Sequence, residues 1–226
     1  MLDREMIRRT EEFLRAKLDG SPWLSARPGD KAYRTEHSYR VANIGRRIAA
    51  EEGFDETETV IACLLHDIAY CEEFGENGWR EHGRRSAAIA RPFLETLGLP
   101  EDRINDICYG IAIHVDDEAD FCGERTPFAL TVGDADNIDR FDVYRIHEGL
   151  QKDAFTDMSL DEKRAYTERR LARLRELLSL PNGTGAAEAM WKKRVLFYIS
   201  FYEKLADQLE ASSGVMDKRV TCSDGL

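Results

Sequence analysis

The chain has 226 residues, 42% hydrophobic and 33% charged, long and apolar enough for an enzyme-sized soluble domain and unlike a disordered chain. Its net charge of −11 opposes binding to a polyanion, so polymeric DNA or RNA is not an expected partner, whereas a small phosphate compound held by a metal is compatible with it. No run approaches the roughly 18 apolar residues of a membrane span, and the opening MLDREMIRRTEEF lacks a signal peptide's apolar core, so the expected location is cytoplasmic with no membrane partner.

Helical periodicity runs through the chain, with no internal repeat and no strand-like alternation to compete with it. A charged amphipathic helix over 2–18 closes at Asp19-Gly20, and a loop with Pro22, Pro28 and Gly29 leads into a second helix that ends at Gly53. In that second helix His37 is followed at helical spacing by Val41, Ile44 and Ile48, so its ring projects toward a core. The next helix, 56–71, carries His66-Asp67 at the end of the apolar run VIACLL. Asp67 falls on the line of Val60, Cys63 and Leu64, and His66 lies about 100° away, so both can reach one cation placed between them. After the glycine-broken EEFGENGWRE, a helix running to Gly98 despite Pro92 sets His82 on the line of Ser86, Ile89, Phe93 and Leu97. A helix over 101–114 follows Pro100, and His114 ends its series Ile104, Ile107, Ile111. The acidic loop VDDEADFCGERTP precedes a helix from near 127, where Asp134 shares a stripe with Ile138 and Phe141. Two long helices, 160–179 and 186–211, flank LPNGTG, and residues 212–226 read as a mobile tail.

A buried carboxylate without a partner is costly, so it is neutralised, paired or bound to metal. A lone inward histidine is commonly a hydrogen-bonded core residue, and Asp134, after Gly133, reads equally as a helix N-cap. Taken jointly, His37, His66, Asp67 and Asp134 point to a metal site, with His82 and His114 as further ligands or as core residues. His147 lies about 220° around a continuous helix from Asp134 and reads as structural or solvent-facing. Cysteines at 63, 71, 108, 122 and 222 form no CxxC pair, which indicates neither disulfides nor a zinc knuckle.

Imidazoles and carboxylates suit Mn²⁺, Fe²⁺, Co²⁺, Ni²⁺ or Zn²⁺ better than Mg²⁺. Such an ion with open positions activates water and neutralises a phosphoryl oxygen, the requirements of phosphate ester or anhydride hydrolysis. Arg84 and Arg85, at the start of the His82 helix, are the nearest candidates to hold the rest of the substrate, although exposed helical arginines would look the same. Glu72 and Glu73 read either as an acid or base near the doublet or as a charged loop edge.

EHSYRVANIGRRIA around His37, LLHDIAY with its His66-Asp67 doublet and GDADNIDRFD around Asp134, in that order, give the chain a resemblance to the HD-domain superfamily of metal-dependent phosphohydrolases. EHGRRSAAIA at His82 and IAIH at His114 look like the additional histidines of some branches. The resemblance implies an all-α fold: a single HD-type helical domain over 1–211, with its motif core at about 30–150 and additional N- and C-terminal helices. It implies His37, His66, Asp67 and Asp134 as ligands of one metal; branches with extra histidines hold two, which would make Asp67 the bridge and the catalytic candidate. The implied activity is hydrolysis of a phosphomonoester, phosphodiester or pyrophosphate bond in a nucleotide or other small phosphate compound. Oxygenase members of the superfamily share a six-ligand set, so a di-iron oxygenase is one alternative, and a metal-retaining nucleotide-sensing module is another. Related motifs often carry a basic residue where Asn137 stands.

Overall fold

Several helices begin where a side chain can serve the amides that a first turn leaves without partners. Asp3 accepts from the Glu5 and Met6 amides to start α1 (Arg4–Asp19), and Ser21 starts the single turn α2 (Pro22–Ser25). Proline opens α3 (Pro28–Glu52), which Gly53 ends in the left-handed conformation, φ 76°. Asp55 caps α4 (Glu56–Leu65). Helices α5 (Gly78–Glu95) and α6 (Glu101–Ile113) follow, and Thr126 caps α7 (Pro127–Asp139). Beyond them lie α8 (Val143–Lys152), α9 (Leu160–Leu177), opened by a Ser159/Glu162 capping box, and α10 (Gly185–Ala211).

The structure, a computed structural model, describes residues 2–75 and 78–214. Among these all regular structure is helical, as the all-α reading expects, and no helix is long and apolar enough to cross a membrane. From residue 215 onward the tail expected over 212–226 lies outside the described residues. The chain forms two compact units: Met1–Arg140 with Pro181–Trp191, and Phe141–Leu180 with Lys192–Leu226.

In the first unit α4 is the central element. Thr57 to Leu65 are all buried, so α4 has no solvent face and must be surrounded. Helices α1 and α3 pack on it, and α7 closes against α3 and α6. Gly45 on α3 permits the closest approach, because a Cβ there would stand 2.5 Å from the Cys63 sulfur. Residues 181–191 return to this unit: the Gly183 amide donates to Asp134 Oδ2 at 2.8 Å, and the Ala186 amide donates to Glu52 Oε1 at 2.6 Å. The second unit holds an aromatic core of Phe155, Tyr166, Tyr198 and Tyr202, with the Tyr166 hydroxyl donating to Asp153 at 2.8 Å.

One helix stops early. The sequence pattern continues α4 to residue 71, but the helix ends at Leu65, and Asp67, at φ −106° and ψ 13°, turns the chain into a 3-10 segment over Ile68–Cys71. The Ala69 amide, donating to Ser86 Oγ at 3.1 Å, pins that segment to α5. Apolar periodicity does not register this break, since Ile68 and Ala69 are buried on either path.

Candidate metal centre

His66 and His114 occupy the C-terminal caps of α4 and α6, where the last carbonyls have no main-chain donor. Each ring folds back on the carbonyl three residues earlier: His66 Nδ1 to Cys63 at 2.7 Å, and His114 Nδ1 to Ile111 at 2.7 Å. His82, in the first turns of α5, does the same with Trp79 at 2.5 Å. A carbonyl only accepts, so Nδ1 carries the proton and Nε2 presents a lone pair. His37, from the middle of α3, instead donates from Nδ1 to Asp139 Oδ2 at 2.8 Å, and Arg40 holds the other Asp139 oxygen at 2.8 Å.

The Nε2 atoms converge around Asp67. On its Oδ2 side stand His37 Nε2 at 3.5 Å and His66 Nε2 at 3.6 Å, themselves 3.2 Å apart, with Asp136 Oδ1 3.1 Å from His37 and 3.9 Å from His66. On its Oδ1 side stand His82 Nε2 at 3.1 Å and His114 Nε2 at 3.6 Å, themselves 3.1 Å apart. The two groups overlap, because ligand atoms of His66, Asp67 and His114 also lie within 4.8 Å of one another. Bonds of about 2.1 Å at right-angled to tetrahedral spacing put neighbouring ligand atoms about 3.0–3.4 Å apart, close to these separations. Two Nε2 atoms at such distances need a proton or a cation between them, because facing lone pairs repel. The donor set therefore fits a divalent ion on each face of Asp67, with His37, His66 and Asp136 on one side and His82 and His114 on the other.

Electrostatics follow from burial and from this arrangement. Burial pulls the fully buried His66 down to about 4, which keeps it neutral. Burial also opposes charge on His37, but hydrogen bonds to Asp136 and Asp139 and the charge of Asp67 overcome it and raise His37 to about 9. His114 is raised as well, burial being outweighed by Asp67. Burial would raise the carboxyls of Asp67 and Asp136, yet the surrounding histidines hold both below the usual carboxylate range, helped by Arg34 for Asp67 and by Arg140 for Asp136.

Of the residues expected at the site, the structure brings together His37, His66, Asp67, His82 and His114, and it sets Asp134 elsewhere. Asp134 is half-buried, accepts from Gly183, and is lifted to about 6 chiefly by burial. Asp136, two residues on, takes the place at His37. The misassignment arose from the stripe through Phe141: α7 ends at Asp139, so helical phase cannot be carried to Phe141. The stripe that does face the core runs Phe128, Val132, Ala135, Asp136 and Asp139, and reading backward from Asp136 would have found it.

Arg84 and Arg85, the expected substrate-holding residues, are both ion-paired to acidic side chains. Arg84 pairs with Asp116 at 3.1 Å, Glu118 at 3.3 Å and Asp120 at 3.7 Å, and Arg85 pairs with Glu72. The arginine at the centre is Arg34, one turn before His37, which donates to Asp67 Oδ2 at 2.7 Å while its guanidinium lies 3.3 Å over the Tyr70 ring. Sequence patterning gave no sign of it, since a partly exposed arginine within a helix is unremarkable. His147 is exposed on α8 in the second unit.

The family model for the HD domain matches residues 34–140. A search of curated proteins gives no match. Among solved structures, the chain is similar to an HD-superfamily hydrolase from Bacillus thuringiensis, with TM-score 0.65 and 19% identity over 92% of this chain and 98% of that one. It is also similar to a predicted HD superfamily hydrolase from an uncultured Thermotogales bacterium, with TM-score 0.59 and 20% identity over 91% of each chain. At such identities the likeness is one of fold, and the segment that matches the HD domain runs from Arg34 at the centre through Asp136 and Asp139.

Proposed function

We propose that the protein is a metal-dependent phosphohydrolase, acting on a nucleotide or another small phosphate compound in the cytoplasm through one or two divalent transition-metal ions. The observation that carries the reading is the two-sided presentation of Asp67, each oxygen facing its own pair of histidine lone pairs. Ions held there would neutralise a phosphoryl oxygen and bring the pKa of water toward neutrality. Around them the chain's own residues divide the work. Asp67 spans the two faces and fixes their separation. Asp139 and the carbonyls of Cys63, Trp79 and Ile111 hold the imidazoles in their ligating tautomer, a supporting shell of the kind that costs about 10–100-fold in metal affinity or activity when removed. Arg34 is the cation best placed to grip the substrate's phosphoryl group, exchanging its hydrogen bond to Asp67 for one to phosphate. Water would then attack phosphorus, the bond to the leaving oxygen would break, and the proton given up by water would pass through solvent to that oxygen.

The test is phosphate or pyrophosphate release from a panel of nucleotides and small phosphates, with purified protein supplied with Mn²⁺, Co²⁺ or Ni²⁺. Wild type is expected to turn over at least one compound, and Asp67→Asn, which keeps shape and removes the bridging charge, is expected to abolish turnover while circular dichroism stays native. Hydrolysis that persists in well-folded, metal-free Asp67→Asn protein sinks the reading. An iron-loaded sample that consumes oxygen and releases no phosphate favours the di-iron oxygenase instead.

A further inference from the structure

Beside the metal centre lies a cavity of about 240 Å³, bounded by Trp23, Asp30, Tyr33, Arg34, Tyr70 and Phe74. It shares a wall with the centre. Arg34 lines it and reaches Asp67 Oδ2 at 2.7 Å. The Tyr33 ring lies parallel to His37, 5.5 Å between centroids and 6° between planes, and Tyr70 sits 5.0 Å from the His82 ring. A group attached to a phosphate at Arg34 would therefore lie next to this cavity.

The lining selects what that group can be. Aromatic side chains and a guanidinium stacked on Tyr70 offer flat π and cationic faces, which reward a planar ring by stacking. Leu24 is the one aliphatic side chain in the lining, so beside the guanidinium and the Asp30 carboxylate an aliphatic chain finds less to pack against than a ring does. The volume is below the roughly 300–1,000 Å³ of pockets that enclose a drug-sized ligand, so it suits one ring system and not a whole nucleotide. Asp30 is exposed at the rim and can only accept when ionised, which matches a ring bearing an amino group.

We infer that this cavity is a specificity subsite, built by α2, the start of α3 and the 68–74 segment, that receives the amino-bearing nucleobase of a nucleotide whose phosphate is held at Arg34. The inference rests on the phosphohydrolase reading of the adjoining centre and adds the part of the substrate that does not react.

The experiment compares AMP with ribose 5-phosphate, in which an anomeric hydroxyl replaces the base. Binding of each to Mn²⁺-loaded full-length protein is measured by calorimetry, and phosphate release from the same mixtures is followed. Wild type is expected to bind AMP at least tenfold more tightly than ribose 5-phosphate. Phe74→Leu and Tyr33→Leu, each checked by circular dichroism, are expected to shrink that ratio at least fivefold. Equal affinity of wild type for the two compounds overturns the subsite, as does an unchanged ratio in both folded variants. Ring-selective binding without phosphate release from either compound supports the subsite and counts against the hydrolase reading; phosphate release with no ring selectivity does the reverse.

Discussion

Asp134 and Asp136 share one turn of α7, yet their surroundings give them opposite chemistry. Asp136 is buried against His37 and kept ionised, whereas Asp134 meets one amide donor and is lifted to about 6 by burial. Asp136→Asn is therefore expected to lower metal occupancy at least tenfold in dialysed protein assayed by atomic emission, and Asp134→Asn to leave it at the wild-type level. A carboxyl with a folded pKa above its unfolded value loses stability as pH rises from the unfolded to the folded value, so the loss from Asp134 accrues between about pH 4 and pH 6 and is complete above that. Its asparagine variant should melt no lower than wild type at pH 7. His37 also has a raised folded value, and its proton bears on metal binding as well as on stability. Its proton competes with metal, so metal affinity should rise with pH up to about 9, while in chelator the stability given by charged His37 is full below about 6.5 and lost as pH passes 9. Melting curves with and without chelator across that window check both signs; a chelated protein that gains stability between pH 7 and 9 contradicts the assignment.

The elements reach the centre through helix ends and close approaches that periodicity does not encode. His66 and His114 serve as terminal caps, and His82 meets His114 because Gly83 lets α5 lie directly on the end of α6: a Cβ there would stand 2.5 Å from the Ala112 carbonyl and 3.2 Å from His114 Nδ1. Gly83→Ala should therefore cost about 1–3 kcal/mol of stability by overpacking. It should also remove metal preferentially from the His82–His114 side, read as a fall in metal stoichiometry and in melting temperature. Wild-type stoichiometry in that variant would mean that α5 tolerates the shift. The inward histidines and the helical class were legible because stripes within one helix, such as His37 with Val41, Ile44 and Ile48, keep their phase. The break after Leu65 and the true acidic partner on α7 were not, because burial on both sides of a turn, or a stripe drawn past a helix end, leaves no trace in spacing. Arg34 escaped for another reason: its role depends on an Asp67 that is distant in sequence.

At the scale of the whole molecule, the centre joins side chains of α3, the α4 terminus, α5, the α6 terminus and α7, so an ion bound only by the folded state stabilises the entire first unit. Free metal at about 100 times its Kd would add about 2.7 kcal/mol. Mn²⁺ or Co²⁺ should raise the melting temperature of wild type and leave that of Asp67→Asn nearly unmoved, as differential scanning calorimetry would record. The same unit is assembled from two stretches of chain, Met1–Arg140 and Pro181–Trp191. On the ribosome, the metal-facing residues His37 to Asp136 emerge well before the Gly183 and Ala186 amides that satisfy Asp134 and Glu52. The first unit therefore gains these two donors only after the sequence between its two stretches has been translated. A message cut after the codon for Arg140 would encode every metal-facing side chain and still deny Asp134 and Glu52 their donors.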